Sequence, residues 1–224
     1  MGIRGKALVV LVVVLVLLLG GIVPFGFVQY SRIRDRTIAE TVRSFESTYR
    51  DAMTAKKDVW LTNALQIAEN PLIVEAFEND DRAAAIEILG RYGRMFRENT
   101  NFHNVQVHLV DAEQRSFVKS WAPDSWGESL AYSDAYRSVL AEGSGAVTME
   151  PAPKGLRLKG LFPVTEDGEI LGLVNFEGGL NSIKRNLKER EIDYLYFLDE
   201  EYLDIATGIA DAPRVGSYVL SQSD

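Results

Sequence analysis

The sequence predicts an α+β fold in which an N-terminal transmembrane helix continues into a long helix packed on an antiparallel five-stranded sheet. Three observations support this prediction. Residues 7–28 form an uncharged apolar run, residues 30–69 lack proline and glycine and repeat apolar residues with a helical period, and the stretches after residue 104 alternate apolar and polar residues. We expect a second, incomplete module to follow the sheet.

The apolar run 7–28 is long enough to cross a bilayer core as one helix, at about 1.5 Å per residue against roughly 30 Å. A removable signal peptide is the alternative, but no small-residue cleavage pattern follows the run. We therefore expect residues 1–6 in the cytoplasm, residues 7–29 in the inner membrane and the main domain in the periplasm, because long domains are translocated largely regardless of flanking charge.

The long helix is expected to end before Asn70-Pro71, since proline lacks the amide proton and clashes with the preceding turn. Its polar residues, Lys56 and Lys57 among them, are interpreted as a solvated face. Pairing of the helix with a second copy as a coiled coil, and hence a homodimer, is the alternative use of its surface. A short helix near 72–77 and a helix over 82–98, capped by Asp80 or Asp81, would complete residues 30–100.

Five strands are predicted in residues 101–180, namely 104–110, 115–121, 147–150, 155–164 and 170–176. A helix over 132–142 separates the second strand from the third, and Asp167-Gly168 marks a tight hairpin turn. Residues 181–224 are predicted to contain the rest of a helix over 180–191 and a hairpin of 193–198 with 203–206. That hairpin has too few strand partners for an independent sheet.

Composition excludes several classes of function. The 224 residues carry 24 Lys and Arg against 32 Asp and Glu, and two basic residues precede the apolar run. The remaining 22 basic and 32 acidic residues give the domain a net charge of −10, which argues against a nucleic-acid or anionic-lipid surface. Cysteine is absent, so disulfides and thiolate chemistry are excluded. The sequence has no G-x-S-x-G, H-E-x-x-H or Walker motif, so we expect neither an enzyme nor a cofactor.

Basic residues on the predicted strands are the candidate binding groups. Lys119 alternates with Phe117 and Trp121 on one face of its strand, and Arg157 and Lys159 share a face of theirs. If these faces meet, they form a cationic spot with an aromatic wall, which suits a carboxylate. The ligand would then be a small organic anion, whereas a solvated sheet face is the alternative reading of the same pattern.

Histidine and the loop aromatics provide secondary candidates. His108 alternates with Gln106 and would be a polar pocket residue, while His103 lies on the opposite face of the strand. An ordinary strand histidine is the favoured interpretation of both positions, and no metal site is predicted without thiolates or an acidic triad. Trp121, Asp124 and Trp126 lie on or beside a loop that could cover a pocket, although core packing is the alternative for both tryptophans.

Several strings in residues 101–222 resemble the double-Cache periplasmic sensor domain of bacterial methyl-accepting chemotaxis proteins and sensor kinases. They are NFHNVQVHLVDAEQRSFVKSW, GLRLKGLFPV, ILGLVNFEGGLNSIKRNL and IDYLYFLDEEYLDIATGIADAPRVGSYVLSQ. The resemblance implies a PAS-like distal module that binds a small ligand and a smaller proximal module, within which this chain ends. In the same resemblance Lys119 matches a basic residue two before a tryptophan, and Lys159 a basic residue before a glycine.

The resemblance implies the ligand-sensing region of a membrane-anchored chemoreceptor that signals ligand occupancy across the membrane. One alternative keeps the sensor and changes the output to a histidine kinase or a diguanylate cyclase. An alternative of another class is a single-pass envelope protein that binds a protein partner and no small molecule.

Overall fold

The long helix predicted from the absence of helix breakers is present as α1 (Ile3–Ala68). The computed structural model describes residues 3–100 and 105–222, which divide into two compact units at residue 51. The first unit contains the N-terminal part of α1. The second unit, from Ala52 onward, contains the end of α1 and every other helix and strand.

The apolar run lies in the first unit. Among the described residues, no helix combines the length and the apolar character that crossing a membrane requires. The transmembrane prediction for residues 7–29 is therefore not confirmed.

Two short helices follow α1, and their first turns explain their boundaries. α2 (Pro71–Glu78) begins after Asn70, whose side chain accepts a hydrogen bond from the amide of Leu72. α3 (Arg82–Asn99) begins after Asp81, whose carboxylate accepts from the amide of Ala84 at 2.9 Å. These side chains satisfy amide donors that a helix start leaves open, so both predicted helices form where the capping residues allow.

The five-stranded sheet is antiparallel throughout, as predicted. Its strands are β1 (Gln106–Asp111), β2 (Ser116–Lys119), β3 (Ala146–Ala152), β4 (Gly155–Glu166) and β5 (Glu169–Gly178), in the spatial order β2-β1-β5-β4-β3. Helix α4 (Asp134–Glu142) separates β2 from β3 in the chain. Asp167 and Gly168 join β4 to β5 with φ values of 49° and 85°, the positive-φ pair that a tight hairpin turn requires.

The two faces of this sheet pack differently. On one face, the Trp60 ring from α1 meets the Phe176 ring edge-on with centroids 5.4 Å apart, and Phe96 from α3 packs on the same Phe176. Gly160 permits this approach, because a Cβ there would lie 2.4 Å from the carbonyl oxygen of Trp60. On the other face, α4 contributes Tyr136 and Val139 to a buried apolar cluster completed by Val110, Leu130, Leu161 and Leu173.

One strand edge departs from simple alternation. The β1–β2 register shifts between Leu109 and Val110, which leaves an extra residue in β2. As a result the Phe117 ring stacks on the Phe77 ring of α2, with centroids 4.7 Å apart, on the face of the sheet opposite α4. The prediction that Phe117 and Lys119 share a face is wrong, because a bulge reverses the alternation between them.

The prediction of a C-terminal hairpin between residues 193–198 and 203–206 is also wrong. After α5 (Asn181–Lys188), the strand β6 (Phe197–Asp199) pairs with β8 (Tyr218–Leu220), which also pairs with β7 (Arg214–Val215). Residues 203–206 instead follow a 3₁₀ turn at Glu200–Tyr202. This turn is capped by Asp199, whose carboxylate accepts a hydrogen bond from the amide of Glu201. The resulting three-stranded sheet buries a small core of Leu198, Ala206, Ile209 and Val219.

The central strand β8 of this small sheet lies at residues 218–220, where no strand was predicted. Leu195 and Ile205 are exposed, whereas Phe197 is half-buried. The assignment of residues 181–224 to a second Cache module stays a prediction. The predicted domain boundaries stay predictions as well.

Lys56 differs from its expected place on a solvated helix face. Its side chain is buried, its Nζ donates to Ser182 Oγ of α5 at 2.7 Å, and the same Nζ lies 3.8 Å from the centre of the Trp60 ring. α5 packs beside α1 at this point, which a helical period read from one helix alone could not reveal.

Candidate ligand-binding site

Strand register collects polar side chains on one face of the five-stranded sheet. His108 of β1 lies opposite Lys119 of β2 and Asn175 of β5, and residues directly opposite share a face. In the next row Glu177 of β5 lies between Gln106 of β1 and Lys159 of β4. With Arg157 two residues before Lys159, the set defines what we call the polar face: Gln106, His108, Lys119, Arg157, Lys159, Asn175 and Glu177.

Most of this polar face is buried. His108, Arg157, Lys159, Asn175 and Glu177 all belong to the buried part of the chain, and Asn175 has no exposed surface. Removing such groups from water is costly unless each acquires hydrogen bonds or a counter-charge. The partners of each group therefore indicate how the face is held together.

Lys119 lies at the end of β2 and meets the following loop. Its Nζ donates to Ser125 Oγ at 3.1 Å and forms an ion pair with Glu128. Burial by itself would raise the pKa of the Glu128 carboxyl, but the hydrogen bond and the charge of Lys119, together with a backbone hydrogen bond, act in the opposite direction and the pKa is lowered. The Lys119 side chain keeps 15% of its surface exposed, against 7% for Lys159, so it is the more accessible ammonium.

Lys159 is held between a carboxylate and a ring. Its Nζ donates to Glu150 Oε2 of β3 at 2.6 Å and lies 5.3 Å from the centre of the Tyr136 ring. Burial raises the pKa of the Tyr136 hydroxyl well above its ordinary value, and the nearby Glu177 and Glu150 charges raise it further. Tyr136 is therefore a neutral hydroxyl at any physiological pH.

The centre of the polar face is an amide. Asn175 Nδ2 donates to the Tyr136 hydroxyl at 2.8 Å and to Glu177 Oε2 at 3.0 Å. Its Oδ1 is buried and has no hydrogen-bond partner among the described residues. Since buried acceptors are nearly always satisfied, this oxygen is available to a donor that the described residues do not supply.

Arg157 and His108 complete the arrangement. Arg157 Nη2 donates to Gln106 Oε1 at 3.0 Å. His108 Nε2 is 2.8 Å from Ser116 Oγ, and the His108 and Trp121 rings meet edge to face with centroids 5.7 Å apart. Burial, and then the Lys119 charge, lower the pKa of His108 to about 3, so the imidazole is neutral and can serve as a hydrogen-bonding group without charge.

The predicted basic residues Lys119, Arg157, Lys159 and His108 thus come to one face of the sheet, although their role in ligand binding stays a prediction. The face is more balanced in charge than the sequence suggested, because Lys119 and Lys159 each contact a carboxylate and Glu177 lies in the same row. It can therefore accept an anion where a carboxylate moves aside, and it offers acceptors to a donor group.

The three candidate residues on or beside the loop after β2 have different surroundings. β2 ends at Lys119, so Trp121 lies beyond the strand, partly exposed, with its ring against His108. Trp126 is 58% exposed and packs on the guanidinium of Arg82, 3.9 Å from its ring centre, rather than on the polar face. Asp124 is exposed. His103 lies outside the described residues.

Sequence reasoning missed five members of the site and its surroundings: Glu128, Tyr136, Glu150, Asn175 and Glu177. A usable signal existed for two of them, since Asn175 and Glu177 alternate with Val174 and Phe176 in a strand that is otherwise apolar. Polar residues two apart in a buried central strand indicate a polar face inside the fold. The other three lie on a loop, on α4 and on β3, and no local pattern in the sequence marked them.

Solved structures of other proteins are similar to this chain in fold. The sensor domain of the Vibrio cholerae histidine kinase DctB shares 18% identity at a TM-score of 0.53, over 64% of this chain and 57% of that one. The extracellular domain of the putative histidine kinase vpHK1S-Z8 shares 12% identity at a TM-score of 0.51, over 74% and 68%. A domain of a putative sensory box/GGDEF family protein from Vibrio parahaemolyticus shares 10% identity at a TM-score of 0.50, over 72% and 68%.

At these identities the structures establish a shared fold, and the chain spans a little over half the length of the DctB sensor domain. No curated protein matches the sequence. The model of the dCache_3 family, described as the double sensory domain of two-component sensor kinases, matches residues 38–207. The chain therefore belongs to this double-Cache family of sensory domains.

Proposed function

We propose that the polar face binds a small organic ligand and that this chain is the ligand-sensing region of a signalling receptor, without chemical conversion of the ligand. The observation that carries the proposal is the buried acceptor Asn175 Oδ1, which lies among paired charges at the centre of the sheet. Burying several charges on one face costs stability, and such costly groups cluster at functional sites. Membership of a sensory-domain family supports the same reading.

We infer that the ligand carries a carboxylate. Lys119 supports this, since its partner Glu128 comes from a loop and a ligand carboxylate could take over the same charge-assisted bond. A second candidate is a ligand that also carries a cationic donor group. Asn175 Oδ1 and the Glu177 carboxylate favour it, because both can accept hydrogen bonds from an ammonium.

The proposal is tested by thermal shift against a panel of mono- and dicarboxylates, zwitterionic amino acids and simple amines. A hit is then measured by calorimetry in Lys119→Ala and Lys159→Ala. A charge-assisted hydrogen bond contributes roughly 1.5–3 kcal/mol, so each variant should weaken binding about tenfold to a hundredfold.

Lys57→Ala is the matched control, since Lys57 is exposed on α1 and lies next to the buried Lys56. Lys56→Ala is unsuitable because of its contacts with Ser182 and Trp60. A ligand whose affinity is unchanged in both sheet variants, or a panel in which only amines bind, would contradict the proposed site.

The output region is a separate proposal. The description of the matching family favours a two-component sensor kinase. A chemoreceptor, expected from the sequence resemblance, is the second candidate. The coding sequence that flanks these 224 residues decides between them, because a kinase core and a methyl-accepting coiled coil have different sequence patterns.

We propose that the chain pairs with a second copy through α1. The exposed residues Ile38, Val42 and Phe45 follow one another at spacings of four and three, which is the seam of a coiled coil. In sedimentation velocity at micromolar concentration the chain should be a dimer, and Val42→Asp should make it a monomer while Ser44→Asp, on another side of the helix, does not. A monomeric wild-type chain at these concentrations would refute the pairing.

We also propose a periplasmic location for the sensory region at an inner membrane, on the strength of the uncharged run 7–28. A periplasm-dependent reporter fused after residue 224 should be active. Activity of a cytoplasm-dependent reporter in its place would reject this topology.

A further inference from the structure

A loop rather than a strand supplies several partners of the polar face. Residues 120–128, here called the covering loop, carry Ser125 and Glu128, which contact the Lys119 ammonium, and Trp121, which contacts His108. Its far end returns to the sheet edge, where the Gly127 amide donates to the Ser116 carbonyl at 2.7 Å and the Ser116 amide donates to the Glu128 carbonyl at 3.0 Å. Access to Lys119 therefore depends on where this loop lies.

The middle of the covering loop is held from outside by one side chain. Arg82 begins α3, and its Nη2 donates to the Pro123 carbonyl at 3.1 Å while its Nε donates to the Phe117 carbonyl at 2.9 Å. The same guanidinium lies under the Trp126 ring, 3.9 Å from its centre. One planar group thus joins the loop at two points to the bulged part of β2.

The geometry requires arginine. A guanidinium donates in two fixed directions and stacks on an aromatic ring at the same time, whereas an ammonium is a point charge that does not reproduce this fork. Arg82 itself does not belong to the polar face. Its contacts fix the chain on both sides of Lys119, at Phe117 and at Pro123.

We propose that Arg82 is a positioning residue that holds the covering loop against the polar face and thereby controls access to Lys119. This inference rests on the proposed function only for its biological meaning, since the loop contacts exist without a ligand. Trp126, which the sequence suggested as a ligand contact, is assigned instead to the anchor that keeps the loop in place.

The test is amine labelling of the full chain without any ligand. A water-soluble N-hydroxysuccinimide acetate is the probe, and mass spectrometry follows the rate of acetylation at Lys119 and at Lys159. Loss of a hydrogen bond from a charged group changes an opening equilibrium by about tenfold or more. Arg82→Gln should therefore raise the Lys119 rate about tenfold and leave the Lys159 rate unchanged, because the partner of Lys159 is Glu150 on β3.

Three further variants make the result specific. Arg91→Gln removes an exposed guanidinium from the same helix and should change neither rate. Arg82→Lys, which keeps the charge without the fork, and Trp126→Leu should each give an intermediate rise at Lys119. Hydrogen exchange at the Gly127 amide should accelerate in Arg82→Gln, while the amides of β5 exchange as in the wild type.

An unchanged Lys119 rate in Arg82→Gln would overturn the proposal. So would an equal rise at Lys119 and Lys159, which would indicate general loosening of the fold. A ligand panel without a hit would count against the proposed function alone, since labelling judges Arg82 without a ligand. Where a ligand is found, its dissociation constant should rise about tenfold in Arg82→Gln, because the loop no longer holds the site in one geometry.

Discussion

At the scale of single residues, the imidazole of His108 shows how the site handles charge. Burial and the Lys119 ammonium lower its pKa to about 3, whereas an imidazole in the unfolded chain titrates near 6.5. Because the pKa of His108 is lower in the folded state, the neutral imidazole makes its full contribution to stability above about pH 6.5. This contribution is lost as the pH falls from there toward 3.

We predict that His108→Gln reduces the sensitivity of the fold to acid. The free energy of unfolding of the wild type should fall between pH 7 and pH 5 by about 2 kcal/mol more than that of the variant, since only the unfolded His108 takes up a proton in this window. Urea denaturation at the two pH values measures the difference. Equal losses in both proteins, or an imidazole proton resonance that titrates near pH 6.5 in the folded protein, would contradict a neutral buried His108.

Lys56 is the second residue whose environment sets its charge. Burial, and then repulsion from Arg185, lower its pKa from 10.5 to about 8. We predict that the wild type gains about 2 kcal/mol of stability between pH 8 and pH 10 relative to Lys56→Met, because the unfolded lysine stays protonated over this range while the folded one does not. Denaturation curves of both proteins at the two pH values give this difference. The same pH dependence in both would mean that Lys56 keeps an ordinary pKa.

At the scale of elements, contact between α1 and the sheet depends on missing side chains. A Cβ at Gly160 would lie 2.4 Å from the carbonyl oxygen of Trp60, which is helix backbone and cannot swing away. Strand β4 can therefore approach α1 only where it has a glycine. The same approach brings the Trp60 ring to Phe176.

We predict that Gly160→Ala lowers the free energy of unfolding by about 1–3 kcal/mol, the usual cost of overpacking a core. Gly90→Ala in α3 is the control. A Cβ there meets only the end of the Arg94 side chain at 3.7 Å, and replacing a helical glycine should stabilise by roughly 0.5–1 kcal/mol. Chemical denaturation of both variants should thus give effects of opposite sign, and a Gly160→Ala protein as stable as the wild type would show that α1 can shift away.

At the scale of the whole molecule, the small C-terminal sheet is attached to the strand that carries Arg157 and Lys159. Ser221 Oγ accepts a hydrogen bond from the Leu156 amide at 2.6 Å, and the Gly208 amide donates to the Pro153 carbonyl at 2.8 Å. Leu156 also packs against the small core around Ile209. Arg157 is therefore the residue directly after Leu156, through which the small sheet is attached.

We predict that Ser221→Ala weakens this attachment by about 1–3 kcal/mol, the cost of leaving an amide donor unsatisfied. Exchange of the Leu156 amide should accelerate, and protease cleavage after α5 should become faster, while the five-stranded sheet stays protected. Ser217→Ala, in the turn before β8, is the control and should change neither. Unaltered exchange at Leu156 in Ser221→Ala would show that packing alone holds the small sheet in place.

The sequence by itself determined the elements whose signals are local. The absence of helix breakers predicted the long helix, Asp81 and Asn70-Pro71 marked helix boundaries, and Asp167-Gly168 marked a hairpin. Strand patterns in the sequence predicted all five strands and put Arg157 with Lys159 on one face. Capping, backbone freedom and side-chain period act over a few residues, so a single sequence records them.

Tertiary structure decided what depends on residues distant in the chain. The bulge that separates Phe117 from Lys119, the pairing of β6 with β8, the burial of Lys56 against α5 and the carboxylates Glu128 and Glu150 beside the lysines all arise from contacts between separate elements. The charge balance of the polar face is the clearest case. Each lysine is an isolated cation in the sequence pattern. Only packing shows that a carboxylate from the adjoining loop or the neighbouring strand compensates its burial, because a buried charge is tolerated where a partner can reach it.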